Sequence, residues 1–319
     1  MKGRPHWGHL VVSTLVLAVA VPVAYLPLWI SYPLGGALGR LIFFVDRRHR
    51  RVALQNLRLA FGGVCSPDEI VAMARSTFCC LGQTFVDTCR LVRLSPQALA
   101  EACEIEGAEA LESPRARGQG IIYVTAHLGP WEYLPALSTY FAGEPLTVVA
   151  RPLDNPYLDR LVSALRRRLG SRIVDKRKAM GAVLDVLRQG ERVGVLIDQH
   201  VSPEKGVVVN FFGYPACTTS APAFWALRSG AAVIPIVIVR EGRGRFRVLL
   251  GKEVSVPPTG TVKEDVVALT AAMTAALEEL IRQRPEQWLW IHRRWKSLEE
   301  GAISWPPSAL SQEHETANS

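Results

Sequence analysis

The sequence predicts an α/β fold, with a mixed sheet flanked by helices and an N-terminal membrane-anchoring helix in front of it. Two observations predict the sheet and its helices. Short β-branched, apolar runs alternate with helical segments after residue 120, and this alternation is typical of α/β sandwiches. The chain has 319 residues, of which 49% are hydrophobic and only 21% charged, a composition that excludes a disordered protein and a highly charged coiled coil.

The N-terminal segment predicts the membrane anchor. No Asp, Glu, Lys or Arg occurs from Leu10 to Gly39, and residues 10–30 alone supply the roughly 20 apolar residues that a membrane span needs. Ala18-Val19-Ala20 has the form of a signal-peptide cleavage site, but the apolar stretch continues past it. We therefore expect residues 1–39 to form an uncleaved anchor. Three prolines interrupt it, which leaves a kinked or partly inserted helix as open as a clean span: Pro22, Pro27 and Pro33.

The rest of the chain is predicted to be one domain over residues 40–303, followed by a flexible polar tail over 304–319. An arginine cluster between residues 40 and 51 is expected at the cytoplasmic leaflet. Five buried strands are predicted at 121–125, 146–150, 193–197, 232–239 and 246–250. Helices are predicted at 50–61, 68–91, 156–169, 178–189, 219–229 and 262–284, the second of them starting at Ser66-Pro67-Asp68-Glu69.

Cysteine spacing and net charge limit the possible partners. The six cysteines form no C-x-x-C pair and no Cys/His cluster with zinc spacing, so we expect reduced thiols, no metal and no cofactor. The net charge of +8 favours an acidic partner. A nucleic-acid partner is not predicted, because the chain carries an anchor and no recognition motif.

The segment after the first predicted strand carries a candidate general base. His127 lies on a strand-to-helix loop that Gly129-Pro130 defines, and Glu132 lies in the first turn of the helix that follows. Across such a junction the two side chains can face each other. A carboxylate bonded to one ring nitrogen fixes the tautomer and raises the basicity of the other nitrogen. The pair therefore predicts deprotonation of a hydroxyl, and amides near Gly129–Trp131 are candidate donors to an oxyanion.

Two further strand ends carry polar residues. Arg151 follows the second predicted strand and Asp198 the third, and ligands of open α/β sheets bind at the ends of strands. The triplet Arg166-Arg167-Arg168 ends the intervening helix and is suited to phosphate. A solvated helix end accounts for the triplet as well, and a turn or helix cap for Asp198.

Six motifs in order resemble the bacterial lipid A biosynthesis (late) acyltransferases, a branch of the lysophospholipid acyltransferase superfamily. The resemblance covers roughly residues 40–297 and the preceding anchor. The motifs are Arg51-Val52-Ala53-Leu54-Gln55-Asn56-Leu57, His127…Glu132, Arg151-Pro152-Leu153-Asp154-Asn155-Pro156, Asp198-Gln199-His200, Phe211-Phe212-Gly213-Tyr214-Pro215-Ala216, and the run from Pro285 to Lys296.

This resemblance implies a glycerolipid acyltransferase-like domain at the cytoplasmic face of the inner membrane. Its implied reaction moves a fatty acyl chain from acyl carrier protein, or from acyl-CoA, to a hydroxyl of a lipid A precursor. His127 and Glu132 are implied as the catalytic pair, with Glu132 where the family often has Asp. Arg166, whose register within the triplet is open, and Asp198 match further positions needed for activity. Together with Arg151 we assign them to substrate binding. The sequence has no G-x-S-x-G elbow, so we expect direct transfer without an acyl-enzyme.

Two alternatives to this function remain open. One is acylation of another lipid, such as a lysophospholipid or a phosphatidylinositol mannoside, although the Phe-Pro-Glu-Gly-Thr-Arg block of glycerol-phosphate acyltransferases is missing. The other is an inactive, membrane-attached lipid-binding protein. For residues 288–296 we expect a strand packed on the core with its charges outside, the alternative being a site wall or interfacial belt.

Overall fold

A mixed seven-stranded sheet lies at the centre of the structure, a computed structural model that describes residues 7–303. The predicted tail and the first six residues of the predicted anchor lie outside this range. The strands are β1 (Cys103–Glu106), β2 (Ile121–Thr125), β3 (Thr147–Ala150), β4 (Arg172–Asp175), β5 (Arg192–Leu196), β6 (Gly206–Phe211), β7 (Tyr214–Thr219), β8 (Ala232–Gly242) and β9 (Arg245–Leu250).

Helices flank both faces of the sheet and precede it in the chain. They are α1 (Trp7–Tyr25), α2 (Leu28–Val45), α3 (Arg47–Phe61), α4 (Pro67–Arg90), α5 (Pro96–Glu101), α6 (Glu112–Ala116), α7 (Leu134–Ala142), α8 (Pro156–Arg168), α9 (Ala179–Arg188), α10 (Ala221–Ser229), α11 (Val262–Arg282) and α12 (Lys296–Glu299).

The sheet has the strand order β1-β9-β8-β2-β5-β3-β4. Its pairs are parallel except for β8 with β9, so the predicted mixed α/β class is confirmed. Alternate side chains of β2 enter different cores: Ile122 and Val124 pack on one face of the sheet, Ile121 and Tyr123 on the other. Two-sided burial explains why β2 reads as an unbroken apolar run. A separate hairpin, β6-β7, was not predicted.

All five predicted strands form, and the predicted helices match within about three residues at each end. Ser66 starts α4 with a full capping box, in which its hydroxyl accepts from Glu69 N–H while the Glu69 carboxylate accepts from Ser66 N–H. The short edge strands β1 and β4 were missed. Charged residues break the apolar runs of both, at Glu104 and at Arg172 and Asp175.

The predicted single anchor helix is two helices. α1 ends at Tyr25 and α2 begins after Pro27, which has extended backbone angles (φ −55°, ψ 146°), because proline lacks an N–H and disfavours helix in the residue before it. Each is long and apolar enough to cross a membrane. α2 runs without a break through residue 39, the predicted end of the anchor, and packs along α4.

A buried ion pair joins the N-terminal helices to the sheet. Arg240 of β8 donates to both the carboxylate of Asp87 and the hydroxyl of Thr84, two α4 side chains, and Tyr32 of α2 donates to the same carboxylate. Asp87 is fully buried and Arg240 is 5% exposed. Breaking such a pair leaves a buried, uncompensated charge at a cost of about 3–5 kcal/mol, so this contact stabilises the packing of α2 and α4 against β8.

The expected strand over residues 288–296 does not form: Trp288 makes an isolated bridge to Leu128, turns follow, and Lys296 begins α12. The expected packing on the core is confirmed, but one of the charges is inside. Trp288, Trp290 and Trp295 are buried, and the guanidinium of Arg294 is buried with them. Arg294 donates to the carbonyl of Cys217 at 2.7 Å and to the hydroxyl of Thr218. These acceptors lie on β7, far away in sequence, so the pattern of residues 288–296 alone could not predict them.

Candidate active site

His127 and Asp198 come together because their strands are neighbours in register. β2 and β5 are parallel, and Thr125 pairs with Leu196. Two residues beyond this pair, the Nδ1–H of His127 donates to Oδ1 of Asp198 at 2.8 Å. The backbone N–H of His127 donates to the other oxygen, Oδ2, also at 2.8 Å. The sheet topology itself therefore builds the pair at the carboxyl ends of two central strands.

The electrostatics of this pair favour a base at Nε2 of the ring. Burial alone would raise the pKa of Asp198, but the charge and hydrogen bonds of His127 lower it to about 2, so the carboxylate is ionised and can only accept. The ring proton therefore lies on Nδ1, which leaves the Nε2 lone pair available. Burial alone would lower the pKa of His127, but Asp198, with a contribution from Glu132, raises it above 6.5.

Trp288 holds the carboxylate in this orientation. Its indole Nε1–H donates to Asp198 Oδ2 at 2.8 Å, so that oxygen accepts two N–H groups and Oδ1 is left to face the imidazole. The backbone reinforces the contact: Leu289 N–H donates to the carbonyl of His127 and Gly129 N–H to the carbonyl of Gln287. Residues 287–289 therefore form one wall of the site, the alternative that we had left open for this segment.

The same C-terminal segment holds the two residues after Asp198. Arg294 donates to the carbonyl of Gln199 at 3.3 Å, and the backbone N–H of His200 donates to Nε2 of His292 at 3.0 Å. Burial lowers the pKa of His292 to about 4, so this ring is neutral and keeps its acceptor nitrogen at physiological pH. Each residue of the turn 198–200 is thus fixed by one side chain from residues 288–294.

Glu132 does not bond the imidazole as we expected. Its carboxylate accepts from Arg166, with Nε at 3.0 Å from Oε2 and Nη2 at 2.5 Å from Oε1. Glu132 lies in the 3₁₀ turn Trp131–Tyr133 that precedes α7 and faces α8, while the register of β2 and β5 gives the place beside His127 to Asp198. The sequence could not distinguish the two carboxylates, because strand order decides which one reaches the ring.

The other predicted binding residues have different surroundings. Arg166 is the member of its triplet that reaches the site. Arg168 donates to the carbonyls of Leu91 and Leu94, away from Glu132. Arg151 pairs with Asp154 in an exposed loop and is not brought to His127. Asp198 was expected to bind substrate, but only 2% of its side chain is exposed behind the imidazole.

The predicted oxyanion donors are largely occupied. Of the amides predicted at Gly129–Trp131, the Gly129 N–H is bonded to the Gln287 carbonyl and Pro130 has no N–H, which leaves the Trp131 N–H as the remaining predicted donor. The structure also brings a side-chain amide to the base: Gln199 Nε2 lies 3.5 Å from His127 Nε2. This distance exceeds the 2.7–3.2 Å of a good hydrogen bond, so an incoming hydroxyl can displace the amide. No role was assigned to Gln199 from the sequence.

An apolar cavity opens beside the Glu132–Arg166 pair. It encloses about 540 Å³, including the part open to solvent, and Glu132 and Arg166 contribute to its lining. Trp131, which also lines the cavity, packs edge-to-face on the His127 ring with the centroids 5.0 Å apart. The remaining walls are mainly apolar and come from β2, α7, β5, β8 and the segment of Leu146 and β3, including Tyr123, Leu134, Leu146, Val148, Gly194 and Ile236.

Comparison with known proteins gives consistent relatives. The model of the bacterial lipid A biosynthesis acyltransferase family matches residues 1–297. The lipid A biosynthesis lauroyltransferase of Escherichia coli K12 is 30% identical over 285 residues, covering 88% of this chain and 90% of that protein. The myristoyltransferase of the same strain is 25% identical, covering 93% and 90%. The phosphatidylinositol mannoside acyltransferase of Mycobacterium tuberculosis H37Rv is 25% identical over 72% of this chain and 71% of its own length.

Proposed function

Because the chain belongs to the bacterial lipid A biosynthesis acyltransferase family, we propose that it moves a fatty acyl chain from an acyl thioester to a hydroxyl of a lipid A precursor. The chain is an acyltransferase, and its family implies lipid A or a related glycolipid as acceptor. The observation that carries the detailed proposal is the hydrogen bond between His127 Nδ1 and Asp198, on a ring that packs against Trp131 of the apolar cavity.

In the proposed first step, His127 Nε2 takes the proton of the acceptor hydroxyl as the hydroxyl oxygen attacks the thioester carbonyl carbon. The π electrons of the carbonyl move to its oxygen, and Asp198 stabilises the imidazolium that forms. In the second step the oxyanion collapses, the C–S bond breaks, and the imidazolium returns the proton to the sulfur. The products are the acylated lipid and a free thiol, and no acyl-enzyme forms.

In this proposal the Gln199 amide donates to the oxyanion. Its nitrogen lies 3.5 Å from Nε2 of His127, close to where the carbonyl oxygen of the attacked thioester would lie. Since the Gly129 N–H already has an acceptor, this amide and the remaining Trp131 N–H are suitable donors to the developing charge. Arg294 holds the Gln199 backbone in place.

Glu132 and Arg166 act at the mouth of the cavity in this proposal. The side chains of both are about one-fifth exposed, so the guanidinium can bind a phosphate of the acceptor or of the donor's phosphopantetheine. The Glu132 charge also favours the imidazolium, since it contributes to the raised pKa of His127. Arg151, exposed on its loop, is proposed as a further phosphate contact.

The apolar cavity is proposed to hold the acyl chain. Its walls are mainly apolar with few polar groups, as in small-molecule sites, and the Glu132–Arg166 pair at one end suits a thioester headgroup outside. We propose acyl carrier protein as the donor, which the net charge of +8 would attract, with acyl-CoA as the alternative. The domain of residues 40–303 would act at the cytoplasmic face of the inner membrane, with residues 1–39 as its anchor.

A second acceptor class is retained for a specific reason. A phosphatidylinositol mannoside acyltransferase is among the relatives, and the His127 chemistry is the same for any lipid hydroxyl.

The test compares wild type with His127→Gln in membranes supplied with a lipid A precursor and either acyl-carrier protein or acyl-CoA donors, with product lipids measured by mass spectrometry. We expect loss of transfer by about 10²–10⁴-fold, and a melting curve shows that the variant is folded. His49→Gln is the matched control, because His49 bonds Asp46 on the surface and should leave transfer intact. Wild-type turnover by His127→Gln contradicts the proposed base. Acylation of a mannoside but not of the lipid A precursor assigns the second acceptor class.

A further inference from the structure

α1 lies along the globular part over its whole length. The residues that face inward recur at helical spacing, at His9, Ser13, Val16, Ala20 and Ala24, while the residues between them, apart from the half-buried Val23, are exposed. Intervals of three and four residues place these side chains on one stripe of the helix. The stripe runs from the first turn of α1 to its last, so the inner face of α1 is covered by protein, against α4 and α8.

Both ends of α1 are bonded to the same globular domain. Near the start, the Asn155 side chain at the N-terminus of α8 donates to the carbonyl of His9 at 2.9 Å and accepts from the hydroxyl of Ser13 at 3.2 Å. At the other end, Arg90 donates to the carbonyl of Leu26 at 3.3 Å, and the guanidinium of Arg93 lies 5.9 Å from the centre of the Tyr25 ring.

These contacts are incompatible with a helix that crosses the bilayer alone. The 19 residues of α1 extend about 28 Å, close to the roughly 30 Å hydrocarbon thickness. Ser13 is six residues from the start, so a crossing helix would hold Asn155 about 9 Å inside the membrane. The start of α8 would follow it, including Asp159 and the exposed Arg160, and each charged group at such depth is costly.

α2 is bound to the domain even more closely. Its glycines contact α4 backbone to backbone: a Cβ on Gly39 would overlap the carbonyl of Phe78, and a Cβ on Gly82 would overlap the carbonyl of Gly35. Tyr32 adds its bond to the buried Asp87. α2 cannot leave α4 to enter a bilayer by itself without breaking these contacts.

The outward faces of both helices have the chemistry of a lipid interface. Large apolar side chains are exposed along them, and aromatic residues lie near the helix ends, where Trp7 is 82%, Tyr25 61% and Trp29 67% exposed. Trp and Tyr favour the boundary between headgroups and acyl chains. Exposed arginines follow at the start of α3, at Arg47 and Arg48, and these complement anionic headgroups.

We propose that α1 and α2 lie in one leaflet of the membrane, with their outward faces in the hydrocarbon, and that neither helix crosses the bilayer. This inference rests on the membrane association in the proposed function. It makes the chain a monotopic protein, in which the membrane covers an apolar face that is one side of the folded domain. The N-terminus of α1 and the active site then lie on the same side of the bilayer.

The direct test is a disulfide between α1 and α8 in native membranes. In the full chain, Ser13→Cys/Asn155→Cys places two thiols at a contact that exists only when α1 is docked on the domain. We expect a 13–155 crosslink in oxidised membranes, identified by peptide mass spectrometry. Thr14→Cys/Asn155→Cys is the matched control: Thr14 is exposed and lies one residue, about 100°, further round the helix, so little crosslinking is expected.

The outcomes separate this inference from the proposed function. Protein that sediments with membranes but gives no 13–155 crosslink refutes the docked arrangement while leaving membrane association intact. Labelling of Gly8→Cys by an impermeant maleimide from the periplasmic side of intact spheroplasts also refutes it. Protein that stays soluble refutes the membrane association itself.

A photocrosslinker identifies what covers the outward face. Val12 is 55% exposed on α1, and benzoylphenylalanine at this position should form adducts with phospholipid. Adducts of twice the chain mass would instead show a second copy on this face and overturn the lipid assignment.

Discussion

Asp198→Asn tests the proposed base through its tautomer. Oδ2 of Asp198 accepts two N–H groups, from the His127 backbone and from Trp288, whereas Oδ1 accepts only from the His127 ring. An asparagine must keep its carbonyl oxygen at the Oδ2 position to satisfy both donors. Its NH₂ group then faces Nδ1 of His127 and donates to it. The ring proton then moves to Nε2, so this nitrogen no longer has a lone pair to accept the hydroxyl proton.

The expected loss is large because the wrong tautomer removes the base entirely. A carboxylate-to-amide change in a serine-protease triad lowers kcat about 10⁴-fold through the same effect, and we expect about 10³–10⁴-fold here, or roughly 4–5.5 kcal/mol of transition-state stabilisation. The pH dependence also changes. Wild-type kcat/KM should rise with pH through the pKa of His127, which Asp198 holds above 6.5. Without the carboxylate this acid limb should move to lower pH.

The assay is acyl transfer by membrane-embedded protein from pH 5 to 9, with initial rates from mass spectrometry of the product lipid. Nitrogen chemical shifts of labelled histidine report the tautomer independently of activity. A melting curve shows that the variant is folded. Wild-type kcat in Asp198→Asn, or an acid limb that stays at its wild-type pH, would refute the reasoning, and so would an Nδ1–H tautomer in the variant.

Three further predictions follow from the site. Gln199→Met should lower kcat about 10²-fold, as expected for one lost oxyanion donor, and, unlike Asp198→Asn, it should leave the acid limb in place; an unchanged kcat contradicts the assigned donor. The effects of Glu132→Gln and Arg166→Met on the free energy of unfolding should be coupled by about 1–3 kcal/mol in a double-mutant cycle, because the two side chains share two hydrogen bonds. Additive effects would show that the pair contributes nothing to stability. Gly194→Ala should shift the product towards shorter acyl chains. The new Cβ would lie 3.2 Å from a methyl carbon of Leu146, and both residues line the cavity. An unchanged chain-length profile in the product lipids would place the acyl chain elsewhere.

The elements that sequence predicted best are those whose pattern is local. The run Ile121–Thr125 is β-branched and buried on both faces, so its period and composition both indicate a strand. Ser66 and Glu69 are three residues apart and cap α4 by themselves. Edge strands such as β4 lack this local pattern. An edge strand pairs with only one neighbouring strand, so charged residues such as Arg172 are tolerated in it and interrupt the apolar run.

The site was predicted in its parts but not in its partners. His127, Glu132, Arg166 and Asp198 were all selected from sequence, but Glu132 was expected beside the imidazole and Asp198 at the substrate, whereas the structure places Asp198 beside the ring and Glu132 on Arg166. Strand order decides between them: β5 lies beside β2, and the extension of the register brings Asp198 to the ring. Nothing in the spacing from residue 127 to residue 132 carries that information.

The C-terminal segment has a chemical role that follows from this geometry. If Trp288 did not hold Oδ2 of Asp198, the orientation of the carboxylate and the ring would depend on two hydrogen bonds instead of three, both of them from His127 itself.

His292 accepts the N–H of His200 only while its ring is neutral. Burial lowers the pKa of His292 to about 4 and so keeps the ring neutral at physiological pH. Its protonation would put a donor against the His200 N–H. The folded state therefore loses stability as the pH falls from about 6.5 towards 4, since the unfolded chain binds that proton first. The proton transfer proposed at His127 thus depends on residues that fold back from the other end of the domain.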